Sequence, residues 1–358
     1  MKLFWNDIQL AHQPQFFLQR GKMKPHYEVA GRAESLRAGG EAMGLEVFAP
    51  KPASRAELEL VHAPDYLDFL ETAAAEWAAL PDASAEAVPN IHPTPEMLAQ
   101  GGVASGTIIG KLGWYTADLS VPIGPGTWEA SVSAAACALA AADEAAAGRH
   151  AYALARPPGH HTYAARAGGH CYLNNAALAA QRLRDRGAKR VGVLDIDSHH
   201  GNGTQGIFWE RDDVVMTSVH GDPNRYYPWY VGHAGEIGAG AGEGANLNLP
   251  LLAGTTDEAW LAAIDTALAK LEAAKIDALV VSLGFDASVH EPLGLLKISD
   301  DGFANAGARI AKFGRPCAIV QEGGYAVAQL GNLLQRFLAG FGGCLLYTSP
   351  SPRDRTRS

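Results

Sequence analysis

The stretch VGVLDIDSHHGNG, residues 191–203, constrains this chain more than any other. Val191, Val193, Leu194 and Ile196 read as a short buried strand of the kind found in parallel sheets. Side chains alternate faces along a strand, so Asp195, Asp197 and His199 are expected to point the same way. Two carboxylates and an imidazole at the end of an apolar strand, followed by His200 and a Gly-Asn-Gly turn, do not serve packing. A buried charge needs a partner or a metal ion. The strand end therefore predicts a metal site rather than a charged turn.

Apolar runs at 151–155, 191–196, 214–219, 278–285 and 317–321 are separated by helical stretches such as 174–186 and 256–275. Such alternation predicts an α/β fold, a parallel sheet covered by helices on both faces, with ligands beyond the carboxyl ends of the strands. The Ala-rich segment 129–148 reads as a helix packed closely on that sheet. Residues 79–128 read as a long irregular insertion whose aromatics, Trp114, Tyr115 and Trp128, suit either a lid or dimer contact or a surface insertion with some core of its own. No repeat or interdomain linker is visible, so a single domain is expected over 1–343. Residues 344–358 shift to Ser, Pro and Arg and read as a disordered tail of non-native sequence.

The 358 residues suffice for a substantial core, and 47% hydrophobic with 19% charged residues is a globular balance. A formal charge of −9 argues against a nucleic-acid surface and suits cationic substrates. Cys137, Cys171, Cys317 and Cys344 are widely spaced with no CxxC pair, which fits a reducing compartment. No apolar run approaches the ~20 residues of a membrane span, and Met1–Leu10 lacks the core of a signal peptide. A cytoplasmic location is expected, with no membrane partner.

Three other segments end strands with polar groups. ARPPGHH (155–161) places His160 and His161 in a stiff Pro-Gly turn, SLGFDA (282–287) supplies Asp286, and QEGGY (321–325) supplies Tyr325. Asp197, His199 and Asp286 then form a mixed oxygen and nitrogen ligand set, which leaves a position open on zinc and is also tolerated by Fe2+ or Co2+. Asp195 is better used to orient a histidine than as a fourth ligand. Asp195 and Asn202 are the natural partners of the His160–His161 pair, and a carboxylate partner raises a histidine's pKa where an amide does not. Tyr325 is a candidate donor to a developing oxyanion. Cys171 reads as a core thiol rather than a nucleophile.

RPPGHH, GGHCYLNNAA, LDIDSHHGNGTQ, SVHGDP, SLGFDA and QEGGY occur in the order that resembles the zinc-dependent histone-deacetylase-like amidohydrolases. The likeness runs from about Lys24 to Gly343. Within that superfamily the insertion KLGWYTADLSVPIGPGTWEAS and the segment HGDPNRYYPWYVGHAGEIGAGAGEGANLNLP look most like bacterial acetylpolyamine amidohydrolases. The resemblance implies one arginase/deacetylase-like three-layer domain with about eight parallel strands. It implies Zn2+ on Asp197, His199 and Asp286, and a structural K+ bound partly by Asp195 and Ser218. It also implies an insertion that narrows the entrance and joins a homodimer, and a tunnel lined by Tyr227. His170 stands where relatives often carry a tunnel aromatic. Asp118 is the best candidate to meet a distal ammonium, beside its reading as an ordinary loop acid.

The chemistry expected is removal of acetyl groups from small cationic amines by metal-activated water. One histidine of the 160–161 pair takes the water proton and one protonates the amine, in an order the sequence leaves open. A protein acetyl-lysine deacetylase shares the same ligand set. A two-metal arginase-type hydrolase would need further Asp and His that HHGNG does not offer. A non-catalytic acetyl-amine binder would not need the full set of ligands, histidines and Tyr325.

Overall fold

A computed structural model of the chain describes residues 1–19, 21–292 and 294–342. The expected tail at 344–358, with the Gly343 domain end, lies outside the described residues.

Ten strands are described: β1 (Lys2–Phe4), β2 (Phe16–Gln19), β3 (Lys22–Pro25), β4 (Glu46–Phe48), β5 (Ala151–Ala153), β6 (Val191–Asp195), β7 (Val214–Gly221), β8 (Asn246–Leu251), β9 (Ala278–Leu283) and β10 (Cys317–Gln321). Eight form one parallel sheet in the order β4-β1-β5-β10-β9-β6-β7-β8, while β2 and β3 pair as a separate antiparallel hairpin. The helices are α1 (Ala30–Ala42), α2 (Arg55–Leu58), α3 (Pro64–Ala78), α4 (Pro95–Ala99), α5 (Ile108–Tyr115), α6 (Thr127–Ala146), α7 (Asn175–Asp185), α8 (Asn202–Phe208), α9 (Asp257–Ala273), α10 (Asp300–Phe313) and α11 (Val327–Phe341). The α/β architecture read from the alternating runs is the one observed.

Both faces of the sheet are buried, which is why its strands read as unbroken apolar runs. Tyr152, Leu194, Leu279, Val281 and Ile319 join one core with Trp260, Phe303 and Phe337 of α9, α10 and α11. The alternate residues Ala151, Ala153, Val193, Val280, Ala318 and Val320 join the opposite core with α6 and α7. That second core is rich in alanine on both sides, Ala134, Ala138, Ala141 and Ala142 of α6 included, so the helix axis can lie close to the strands.

The insertion differs from the irregular segment expected. It carries α4 and α5, and Leu112, Tyr115, Val121 and Ile123 form a third core with Tyr66, Phe69 and Leu70 of α3. Tyr115 is buried, stacks on Phe69 with ring centres 4.9 Å apart, and donates its hydroxyl to Asp65 at 3.0 Å. Trp114 and Trp128 are half-buried against the same cluster. The aromatics anchor the insertion instead of facing solvent. Its exposed apolar residues are Ile91, Met97, Leu98, Val103 and Ile109.

Candidate metal centre and catalytic site

Four neighbouring strands, β5, β10, β9 and β6, end at the same edge of the sheet. Their carboxyl ends carry the four polar segments singled out above. Parallel strands place such ends side by side, so residues more than 120 positions apart meet there, as when the Gly323 N–H donates to Asp197 Oδ2 at 2.8 Å.

Asp197, His199 and Asp286 each offer a ligand atom, and the three atoms lie within 4.8 Å of one another. His199 Nδ1 is 2.8 Å from Asp286 Oδ2 and 3.3 Å from Asp197 Oδ1. Backbone donors hold both carboxylates: Ser198 N–H to Asp286 Oδ1 at 2.8 Å, and His199 N–H to Asp197 Oδ1 at 2.8 Å. Glycines wall this cradle because nothing larger fits. A Cβ at Gly284 would stand 2.0 Å from Asp197 Oδ2, and one at Gly323 would stand 2.7 Å from both Asp197 Oδ2 and Asp286 Oδ2.

The electrostatics suit a cation. Burial and the neighbouring Asp197 carboxylate push Asp286 upward. Burial opposes a charge on His199, yet Asp286 and Asp197 lift it to about 9. Buried acids this close repel unless a positive charge lies among them. The donor set therefore fits a divalent ion bound through two carboxylate oxygens and one imidazole nitrogen.

The two histidines of the ARPPGHH turn are buried, with ring centres 4.0 Å apart. His160 Nδ1 donates to Asp195 Oδ2 at 2.9 Å, and His161 Nδ1 donates to Asn202 Oδ1 at 2.7 Å. Burial disfavours charge on both. For His160 the carboxylates of Asp195, Asp197 and Glu322 outweigh it and raise the pKa well above the ordinary value. His161, with an amide partner and His160 and His199 nearby, is lowered well below it. Neighbours in sequence thus carry opposite proton preferences. Each uses Nδ1 for its partner, which leaves Nε2 for chemistry.

Tyr325 is 8% exposed, and its backbone N–H donates to Glu291 Oε2 at 2.8 Å. Burial raises its hydroxyl well above the usual range, so it keeps its proton. Asp195 also accepts the Asp197 N–H at 3.1 Å, and it lies beside Ser218 in the register of β6 and β7. Ser218 Oγ contacts His220 Nδ1 at 2.8 Å. The Tyr227 ring meets His161 edge-on at 4.8 Å, and its hydroxyl donates to Asp118 Oδ2 at 2.6 Å. Asp118 also accepts the N–H groups of Ser120 and Gly169. His170, with a left-handed φ of 69°, stands 5.7 Å from the Tyr325 ring, and its Nδ1 lies 3.1 Å from His26 Nε2.

Several contributors were not singled out in the sequence. Tyr226 lies flat on His199, with ring centres 4.2 Å apart and planes 14° from parallel. Glu28, Arg32 and Arg156 form a buried charge cluster behind Tyr325. Glu322, whose carboxyl burial lifts to about 7, accepts backbone N–H groups of the histidine turn. The one signal for Glu322 was its place between the strand AIVQ and two glycines.

A parallel α/β sheet with an Asp-His-Asp cradle and a histidine pair at its strand ends defines a metal-hydrolase type of site. Residues 26–341 match the histone deacetylase domain, and the chain belongs to that family. Acetylpolyamine amidohydrolase 1 of Pseudomonas aeruginosa is 42% identical over 341 residues, which cover 95% of this chain and 98% of that one. Acetylpolyamine amidohydrolase of Mycoplana ramosa is 38% identical over 348 residues, 96% of this chain and 100% of that one. Among solved structures, an acetylpolyamine aminohydrolase from Burkholderia pseudomallei superposes with a TM-score of 0.91 at 43% identity, covering 96% and 98% of the two chains.

Proposed function

We propose that this protein is a metal-dependent amidohydrolase that removes acetyl groups from acetylated polyamines or similar small cationic amines. The observation that carries the reading is the split histidine pair, His160 on a carboxylate and His161 on an amide, set beside the Asp197–His199–Asp286 cradle. The substrate class rests on relatives named for acetylpolyamines that match over nearly their whole length.

Asp197, His199 and Asp286 would hold the ion, for which Zn2+ is the first choice and Fe2+ or Co2+ also suit the donors. When bound, such an ion supplies Lewis acidity and brings the pKa of water towards ~7. His161, neutral with its Nε2 lone pair free, takes the proton of the attacking water. His160, kept cationic by Asp195, stabilises the negative charge that develops and keeps its own proton. His161, now protonated, delivers that proton to the departing amine. Tyr325 donates its hydroxyl to the carbonyl oxygen as it becomes an oxyanion, a contact worth about 10²–10³ in rate.

We assign the wall of the substrate passage to Tyr227 and His170, with Asp118 fixing Tyr227. Asp195 and Ser218 are the expected contacts of a structural K+. The exposed Ile91, Met97, Leu98 and Val103 of the insertion support a homodimer, and the spaced buried thiols support a cytoplasmic setting. No helix among the described residues is long and apolar enough to cross a membrane.

The test is release of acetate from N-acetylputrescine and from an acetyl-lysine peptide, with and without added Zn2+, beside Tyr325→Phe. Metal-dependent turnover of the polyamine that collapses in the variant is the expected result. Turnover of the peptide alone would transfer the assignment to a protein lysine deacetylase, and turnover of neither would leave a binding protein.

A further inference from the structure

The histidine turn is held from two sides. Its outer side is closed by backbone: a Cβ on Gly159 would stand 2.4 Å from Asn175 N, and the His160 carbonyl accepts the N–H groups of Gly203 and Thr204 at 3.0 and 3.1 Å. On its inner side, besides the Asp195 and Asn202 partners of the two rings, the backbone of the turn leans on one side chain. The N–H groups of Gly159 and His160 converge on a single oxygen, Glu322 Oε2, at 2.7 and 3.1 Å, and have no other acceptor among the described residues. The second oxygen, Oε1, accepts from Ser282 Oγ at 3.2 Å. Glu322 is fully buried, and its own backbone is fixed too, since Arg32 Nη2 donates to Glu322 O at 2.7 Å and Arg32 Nε donates to Gly324 O.

We propose that Glu322 is a positioning residue, whose carboxylate oxygen joins the His160–His161 turn to the strand end bearing Tyr325 and so sets the distance between the proton-handling and oxyanion-binding sides of the site. For its kinetic readout the inference rests on the deacetylase reading above. The oxygen acts mainly by reach: one acceptor serves both N–H groups, which an amide oxygen at the same place can also do, and the charge on His160 rests first on Asp195 and Asp197, with Glu322 behind them. A 1 Å displacement of catalytic groups can cost about 10²-fold in rate.

Two variants separate reach from charge. Glu322→Gln keeps the reach, with its Oε1 on the two N–H groups and its Nε2 able to donate to Ser282 Oγ. Glu322→Asp keeps the charge but withdraws the oxygen by about 1.5 Å. With N-acetylputrescine and the metal-loaded enzyme, kcat of the aspartate variant should fall by roughly 30–100-fold. The glutamine variant should stay within about fivefold, with KM within about twofold for both, the split expected when ground-state binding is untouched. In parallel, amide exchange at Gly159 and His160 should stay slow in the glutamine variant and become fast in the aspartate variant.

Two wild-type-like variants, or a glutamine variant that loses more than the aspartate one, would overturn the proposal. Should Glu322→Asp not fold, exchange in Glu322→Gln decides, with slow exchange supporting the strut and fast exchange removing it. A wild-type enzyme that releases no acetate would sink the deacetylase reading, yet the exchange measurement, which needs no substrate, would still decide the role of Glu322.

Discussion

The guanidinium of Arg32 lies 4.8 Å from the centre of the Tyr325 ring, with Arg32 1% exposed. Arg32 comes from α1, and its partners on the Glu322–Tyr325 loop lie 290 and 292 positions along the chain. One planar group spans two carbonyls, the Glu28 carboxylate and an aromatic face, a set that a lysine cannot reproduce.

Arg32→Lys should therefore lower kcat for N-acetylputrescine by about 10-fold or more, because the loop that carries Tyr325 loses its bracket. Melting should also shift down, by an amount set by about 2–4 kcal/mol of lost buried hydrogen bonds. Steady-state kinetics together with a thermal melt check this, and a lysine variant with native kcat would show that the loop holds itself.

Metal loading should be visible without any substrate. Asp286→Asn keeps the size of the side chain but removes one anionic ligand, so metal content measured after dialysis should fall well below that of the wild type. Adding Zn2+ to the stripped wild-type protein should raise its melting temperature, since a ligand at 100 times its Kd stabilises by about 2.7 kcal/mol. Equal uptake by both proteins would move the ion away from this cradle.

How far the site was legible follows from which contacts are local. Asp195, Asp197 and His199 sit within five residues, Asp195 as the last residue of β6 and the other two just past it, so closeness in sequence was enough to group them, although the alternation expected of a strand stops at Asp195. Asp286, His160 and Tyr325 were legible because each follows an apolar run, and parallel strands gather such ends. Arg32 was not, because AGRAESLRAGG has the composition of a solvated helix, and only the tertiary fold shows that Arg32 is buried. The three-residue strands β1 and β4 are too short to show a period. The insertion read as irregular because its α5 is only eight residues long and draws its core from α3, more than 30 positions earlier.

Tyr227→Phe tests the link between the insertion and the passage wall. The hydroxyl donates to a carboxylate at 2.6 Å, a class of bond worth about 1.5–3 kcal/mol. Its loss frees Asp118 from the ring that packs on His161, and the segment should move outward more easily. The ratio of kcat/KM for an acetyl-lysine peptide over N-acetylputrescine should rise in the variant. An unchanged ratio would mean that the entrance is set elsewhere in the insertion.

Acid sensitivity has a source at His62, away from the metal ligands. The ring is buried, its Nε2 accepts the Asn174 N–H at 2.9 Å, and its Nδ1 donates to Ala164 O at 3.2 Å. Asn174 caps α7 through Ala177 N–H and ties Thr162 to Thr204, so this acceptor supports the chain just after the histidine pair. Burial pushes His62 down from 6.5 to about 4, the carbonyls of Ala164 and Tyr163 opposing it only in part. Because the folded pKa is the lower one, the unfolded chain binds more protons between these values, and stability falls as pH drops. The stabilisation is complete above about pH 6.5 and lost progressively down to about pH 4, by on the order of 3 kcal/mol. Urea unfolding at a series of pH values should show this slope, with His12, His26 and His220 adding to it as further buried neutral histidines. Glutamine at 62 can accept from Asn174 without titrating, so His62→Gln should flatten the slope between pH 6.5 and 4; a slope identical to the wild type would assign the acid sensitivity to the other buried histidines, His161, His170 and His200 included.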